Sequence, residues 1–150
     1  MKNLIIYLII LLFLFIAVLK TFAIKPKDLG VKNGKFKPCP TTPNCVSTQA
    51  DSDDQQHYIS PLTYNTTKDE AIIKLVEIIN SLERTKIIEQ TDNYLHVEFT
   101  SKIMKYVDDV EFYIDDENKI IHFRSASRVG YSDLGVNRKR MEEIVQLFNK

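Results

Sequence analysis

The sequence predicts an α+β fold: a two-layer domain with an antiparallel sheet of about four strands and two amphipathic helices on one face, preceded by an N-terminal membrane helix. Three observations support this fold class. Two segments repeat apolar residues at helical spacing, the segments between them alternate apolar and polar residues, and the chain opens with a long uncharged apolar run. A sheet with one apolar face needs a cover, and two such helices can supply it.

The composition of the chain limits the classes of protein to be considered. With 150 residues, 44% hydrophobic and 27% charged, the chain is not disordered, collagen-like or a disulfide-dense mini-protein. The 20 basic and 20 acidic side chains balance, which argues against a dedicated nucleic-acid binder. The charges are unevenly divided, because residues 20–37 hold six Lys and one Asp while the remainder of the chain is acidic.

The N-terminal apolar run predicts membrane targeting. Leu4–Leu19 carries no charge, and a helix over residues 4–24 would span about 30 Å, the thickness of a bilayer's hydrocarbon core. Residues 1–24 are therefore predicted as a transmembrane signal anchor, with a cleavable signal peptide and a secreted domain as the alternative. We expect the domain on the extracytoplasmic side, periplasmic or extracellular. The lysines after the run leave the cytoplasmic face as an alternative.

Residues 25–37 are predicted as a basic linker and residues 38–150 as the globular α+β domain. Within the domain, Thr67 and Glu70 have the spacing of a capping box, in which each side chain accepts a hydrogen bond from the other's backbone N–H. Apolar residues then recur at helical spacing, which predicts an amphipathic helix over residues 68–83.

Four strands and a second helix follow. Residues 87–88 indicate a short first strand, residues 94–99 alternate with a period of two, residues 107–115 form a third strand, and residues 121–123 lie in a fourth. The helix that runs to the C-terminus is indicated by apolar residues at helical spacing: Met141, Ile144, Val145 and Phe148.

The alternation leaves one face of the predicted sheet polar. The residues on this polar face are His96, Glu98, Asp109, Glu111 and His122. The turn at Asp116 allows two registers, which put Arg124 opposite Glu111 or Asp109 as a cross-strand ion pair. The face is either solvated and laced with weak ion pairs, or it lines a cleft in which carboxylate and imidazole groups do acid–base work.

The start of the last helix breaks a local rule. Asn137 is a suitable N-cap, but the three residues after it are basic, where the helix dipole favours acidic side chains. A helix N-terminus surrounded by arginines can bind an anion, and arginines of the last strand can add bidentate contacts. The residues of this predicted anion site are Arg124, Arg128, Asn137, Arg138 and Arg140. The alternative is that Asp133 and nearby carboxylates neutralise these cations.

Cys39 and Cys45 are too far apart for a CxxC redox motif and too few for a structural zinc site. A disulfide between them would close a short, proline-rich ring and fix a turn. Free thiols and redox or metal chemistry are the alternatives. A disulfide would also agree with an extracytoplasmic location.

Three blocks of sequence stand out together: KPCPTTPNCVS at residues 37–47, YVDDVEF at residues 106–112 and RSASRVGYSDLGVNRKR at residues 124–140. In this order they resemble the domain of unknown function 1499 family. The likeness covers about residues 36–148. The resemblance implies a small membrane-attached or exported domain without an established activity.

No Walker A, GxSxG, HExxH or paired CxxC motif occurs in the chain. We therefore expect a membrane-anchored extracytoplasmic domain that is a non-enzymatic binding or envelope-associated module. The alternative is a hydrolase or transferase that uses the polar face. No cofactor, metal or nucleic acid is expected, and the expected partners are the membrane, through a single N-terminal span, and an anionic small ligand or a protein.

Overall fold

The computed structural model describes residues 6–14 and 24–150. Residues 6–14 are helical and exposed, and we call this helix α1. The strands are β1 (Cys45–Ser47), β2 (Leu62–Thr63), β3 (Thr85–Gln90), β4 (Tyr94–Thr100), β5 (Val107–Asp115) and β6 (Ile120–Ser127), and the further helices are α2 (Lys68–Ser81) and α3 (Val136–Phe148).

The strands of residues 24–150 form one antiparallel sheet of six, in the order β1-β6-β5-β4-β3, with β2 also paired to β6. Strands β1 and β2 pair with different stretches of β6, at Arg124–Ala126 and Ile120–Ile121. The prediction of about four strands is therefore wrong. The two additional strands have three and two residues, which is too short for a period of two to be visible in the sequence.

Helices α2 and α3 cover the apolar face of the sheet. The predicted capping box is confirmed, since Thr67 Oγ1 accepts from Glu70 N at 3.3 Å and Glu70 Oε2 accepts from Thr67 N at 2.9 Å. Leu75 of α2 and Ile144 of α3 are fully buried, in one apolar cluster with sheet residues such as Phe112. The helices thus bury the apolar side of the sheet, as two-layer packing requires.

The fold prediction also included an N-terminal membrane helix, and this part of the prediction is wrong as well. Across residues 6–14 and 24–150, no helix combines the length and the apolar character needed to cross a membrane. The rest of the predicted anchor, residues 1–5 and 15–23, lies outside the described residues. The described fold has three helices and a six-stranded sheet.

Residues 24–40, which we call the lead-in segment, lie over the other face of the sheet. The Gly30 N–H donates to Glu111 Oε1 of β5 at 2.6 Å. Gly30 has φ 107°, which an L side chain rarely adopts, so the backbone conformation that brings this N–H to Glu111 favours glycine. Phe36 is buried, and its N–H donates to Gln49. These contacts hold the predicted linker, residues 25–37, on the domain, with about half of its residues exposed.

The end of the lead-in segment is covalently attached to the sheet. Cys39 forms a disulfide with Cys45, the first residue of β1, which confirms the predicted pairing. In the segment before it, the side chain of Lys37 binds the carboxylate of Asp28 and ties two stretches of the segment together. The disulfide therefore anchors one end of the segment that covers the polar face.

Candidate functional site

The polar face of the sheet pairs Arg124 in one of the two registers that the sequence allowed, but its environment is not that of a solvated face. His96 pairs across from Glu111, Glu98 across from Asp109, and Arg124 across from Glu111, one of the two predicted registers. The expectation of a solvated face is wrong, because His96 and Glu111 are 0% exposed and Arg124 is 5% exposed. The lead-in segment covers these charges, so the face is an interior layer.

One half of this buried layer is organised around Asp109. Arg128 binds it through both oxygens, with Nε to Oδ2 at 2.8 Å and Nη2 to Oδ1 at 2.7 Å, and His96 Nε2 lies 2.7 Å from Oδ1. Burial alone would raise the pKa of Asp109, but the hydrogen bonds from Arg128 and His96 hold it below its usual range. Hydrogen bonds to Asp109 and Glu98 in turn raise the pKa of Arg128. Asp109 and Arg128 therefore stay charged and bound to each other.

The other half is organised around Glu111. Its carboxylate accepts from the Gly30 N–H at 2.6 Å, the Tyr94 hydroxyl at 2.9 Å and Arg124 Nη1 at 3.3 Å. Burial and the neighbouring Glu111 charge raise the pKa of Tyr94, so the phenol remains a hydrogen-bond donor. Glu111 thus connects the lead-in segment, β4 and β6 through one buried negative charge.

Arg124 is the least satisfied of these buried groups. Its side chain makes one hydrogen bond to the described residues, the 3.3 Å contact of Nη1 with Glu111. Its Nε is buried and has no acceptor within that part of the chain. A guanidinium offers five N–H donors, and buried donors without acceptors are costly. The Nε–Nη2 edge of Arg124 is thus a two-donor fork without an acceptor among the described residues.

A pocket of about 400 Å³ lies between the sheet and the lead-in segment. Its sheet side consists of Asp109, Arg124, Ala126, Ser127 and Arg128. Its lead-in side consists of Pro26, Asp28, Leu29, Lys37, Pro38, Cys39 and Pro40. The two sides differ in chemistry, because the sheet contributes most of the charged groups and the lead-in segment most of the apolar ones.

The predicted anion site does not come together as one site. Arg124 and Arg128 lie at the pocket on the polar face, whereas Arg140 lies on the side of the apolar face. There Arg140 Nη2 binds Asp108 Oδ2 at 2.6 Å, and its guanidinium lies over the Phe99 ring. Asp108 and Phe99 pair across β4 and β5, so they share the face opposite to Arg124. Arg140 therefore has its own carboxylate on the far side of the sheet.

The remaining two residues of that predicted site are also engaged elsewhere. Arg138 Nη2 donates to the backbone carbonyls of residues 55, 56 and 58, at 3.2, 3.2 and 2.9 Å. Asn137 is not the N-cap as predicted, because Gly135 occupies that position with φ 79° and has no side chain to cap with. Asn137 is buried, and its backbone N–H donates to Asp133 at 2.8 Å. Asp133 thus partly supplies the missing cap.

His122, the last residue of the predicted polar face, lies away from the pocket. Its Nδ1 is 3.2 Å from the Thr48 hydroxyl, and its ring is parallel to that of Tyr113, with 6.3 Å between centroids. Burial lowers the pKa of His122. Within residues 6–14 and 24–150, no three His, Cys, Asp or Glu side chains are grouped so that they could hold a metal ion.

Sequence reasoning missed the contribution of the lead-in segment to this site. Leu29 and Gly30 cover the buried charges, yet they lie in a segment that was predicted to be a linker. The glycines and prolines of residues 26–40 are the only signal in the sequence, since they favour a folded, turn-rich path over a helix or strand.

A known family matches most of the chain. The family model described as "Protein of unknown function (DUF1499)" matches residues 35–148 and confirms the resemblance seen in the sequence. The match begins within the lead-in segment, ends with α3 and covers about three quarters of the chain. No curated protein matches the chain.

Proposed function

This chain belongs to the DUF1499 family, and from its buried arginine we propose that it is an extracytoplasmic, non-enzymatic module that binds a small anionic ligand. The binding site is the pocket between the lead-in segment and the polar face. The observation that carries the proposal is Arg124, which lines the pocket and whose buried Nε has no acceptor among the described residues. An anion at the Nε–Nη2 edge would supply it.

The charges around the pocket also favour an anion. The lead-in segment holds five Lys and one Asp, so the surface around the opening is basic; of these residues, Lys37 and Asp28 line the pocket and are bound to each other. Arg128, the second guanidinium on the sheet side, is bound to Asp109 and Glu98, so Arg124 is the group left for an anion. An anionic ligand would therefore be attracted to the opening, and the Arg124 side chain lines the pocket that it would enter.

Binding is better supported than acid–base catalysis. His96 and Glu111 do not line the pocket, and both oxygens of Asp109 accept hydrogen bonds from Arg128. A general acid or base must reach the substrate proton that it transfers. The groups that suggested a hydrolase or transferase are thus committed to one another.

Two observations support the extracytoplasmic location. The disulfide Cys39–Cys45 is of the kind that persists in oxidising compartments. The uncharged apolar run at the start of the chain has the form of an export signal. Fusions at Lys150 to alkaline phosphatase and to a fluorophore that is active only in the cytosol test this location. Activity of the phosphatase is expected, and activity of only the cytosolic reporter would contradict it.

Anion binding is tested by thermal unfolding of the full chain, followed by circular dichroism at 222 nm with increasing acetate or inorganic phosphate. A ligand at 100 times its dissociation constant stabilises the folded state by about 2.7 kcal/mol. The variant Arg124→Lys keeps the charge but loses the fork, so its stabilisation should be smaller. Arg138→Lys, outside the pocket, is the matched control. The proposal is wrong if neither anion stabilises the wild-type protein, or if both variants respond equally.

A further inference from the structure

We infer that the ligand is a monocarboxylate with an apolar body, whose carboxylate lies on Arg124 and whose body lies beneath the lead-in segment. This inference rests on the anion site proposed above and names its ligand class. It depends on two properties of the pocket, the balance of charge on its sheet side and the apolar character of its lead-in side.

The charge balance on the sheet side favours a single negative charge. Arg128 is already bound by Asp109 and Glu98, and Arg124 shares Glu111 through one contact. The layer thus holds three carboxylates for two guanidinium groups. A doubly charged phosphate would have to enter beside these carboxylates and lose its hydration, which is more costly for two charges than for one.

The geometry of Arg124 selects a planar acceptor. Nη1 faces Glu111, so the Nε–Nη2 edge is the fork that remains. The two N–H groups of this edge are parallel, and their spacing matches the two oxygens of a carboxylate. A carboxylate would satisfy both donors at once.

The lead-in side of the pocket favours an apolar body on the same ligand. Pro26, Leu29, Pro38 and Pro40 contribute to this side beside the ion pair of Lys37 with Asp28, and Ala126 adds an apolar group from the sheet. Pockets for small molecules combine mainly apolar walls with a few polar groups that fix the orientation. Here the polar groups are concentrated on the sheet side, so the ligand would point its charge at β6 and its body at the lead-in segment.

The test is a series of ligands titrated into the full chain by isothermal calorimetry: acetate, butanoate, hexanoate, hexan-1-ol and hexyl phosphate. Affinity should increase about fourfold for each methylene that is buried. Hexanoate should bind more tightly than hexan-1-ol, which lacks the carboxylate, and than hexyl phosphate, which carries more charge. Leu29→Ser should reduce the gain in affinity from acetate to hexanoate. Leu134→Ser, at an exposed residue outside the pocket, should leave the whole series unchanged.

The outcomes separate this inference from the anion site itself. If acetate binds and hexanoate binds no more tightly, the ligand class is wrong and the anion site stands. If hexan-1-ol binds as tightly as hexanoate, the carboxylate is not recognised, and if hexyl phosphate binds best, the limit to one charge is wrong. If neither acetate nor hexanoate binds, both the inference and the anion site fail.

Discussion

Replacing Glu111 with glutamine tests whether buried charge holds the lead-in segment on the sheet. Glu111 is fully buried and accepts hydrogen bonds from Gly30, Tyr94 and Arg124. Gly30 and Tyr94 both donate to Oε1, so the one oxygen that glutamine retains can still accept from both, more weakly than a carboxylate oxygen. Glutamine replaces the other oxygen by an amide donor and removes the negative charge opposite Arg124.

The loss of stability expected for Glu111→Gln follows from the Arg124 charge, which stays buried after the substitution. Breaking a buried ion pair by removing one partner costs about 3–5 kcal/mol, because a charge is left buried without compensation. Arg124 reaches Glu111 by one contact of 3.3 Å, which argues for the lower end of that range. We therefore expect Glu111→Gln to lower the free energy of unfolding by about 3 kcal/mol, a large share of the stability of an ordinary domain.

Urea unfolding of the full chain, followed by circular dichroism at 222 nm, measures this loss. With a dependence on urea of about 1–3 kcal/mol per molar, the midpoint should fall by about 1–3 M. Hydrogen exchange of the Gly30 amide should become faster, because its acceptor is weakened. Glu143→Gln, at an exposed glutamate of α3, is the matched control and should change stability by less than about 0.5 kcal/mol.

A double variant separates charge from packing. Glu111→Gln combined with Arg124→Met removes both charges, and it should be more stable than Glu111→Gln alone because no uncompensated charge remains. The reasoning would be refuted if Glu111→Gln cost no more than Glu143→Gln. It would equally be refuted if the second substitution destabilised the protein further.

Three other perturbations have outcomes that the structure predicts. Asp109→Asn should lower stability at neutral pH and reduce the acid sensitivity of unfolding. Despite burial, hydrogen bonds from Arg128 and His96 hold the pKa of Asp109 down, so its contribution to stability is present above the ordinary aspartate pKa, about 3.9, and is lost as the pH falls through the folded-state pKa. Urea unfolding between pH 7 and pH 2 measures this dependence of stability on pH. Thr67→Ala removes one half of the capping box and should cost about 1 kcal/mol in urea unfolding, with Thr66→Ala, outside the box, as the control. Replacing Cys39 and Cys45 with alanine opens a short ring and should cost about 2 kcal/mol by the chain-entropy estimate; an unchanged midpoint would contradict it.

The helices and the four longer strands could be predicted because their signals are local. Strand β5 was predicted at residues 107–115, the bounds that the structure has, because nine residues show the alternation clearly. Helix α2 was predicted to its first residue because the capping box marks where it begins. Strands β1 and β2 were missed because they are held by pairing with β6 rather than by a pattern of their own.

The anion site at the last helix shows how a local rule can mislead. Three consecutive basic residues in a helical turn point in different directions, since each residue turns the helix by about 100°. Arg138 accordingly reaches backbone carbonyls of the loop at residues 55–58, whereas Arg140 binds Asp108. Arg124 and Arg128 lie on the opposite face of the sheet. Adjacency in the sequence was therefore no guide to convergence in space.

The sequence by itself determined which residues alternate along the strands, where α2 begins and which residues form the polar face. It also determined that Arg124 faces a carboxylate. These features could be read from the sequence because periodicity and register act between neighbours along the chain or across a hairpin. Only the tertiary structure decided that this face is buried. Its cover, residues 24–40, has no periodicity and is held by contacts between distant residues: the Gly30 hydrogen bond to Glu111 and the disulfide to β1. Those contacts exist only when the chain is folded, and they turn a row of surface charges into a buried layer with a pocket above it.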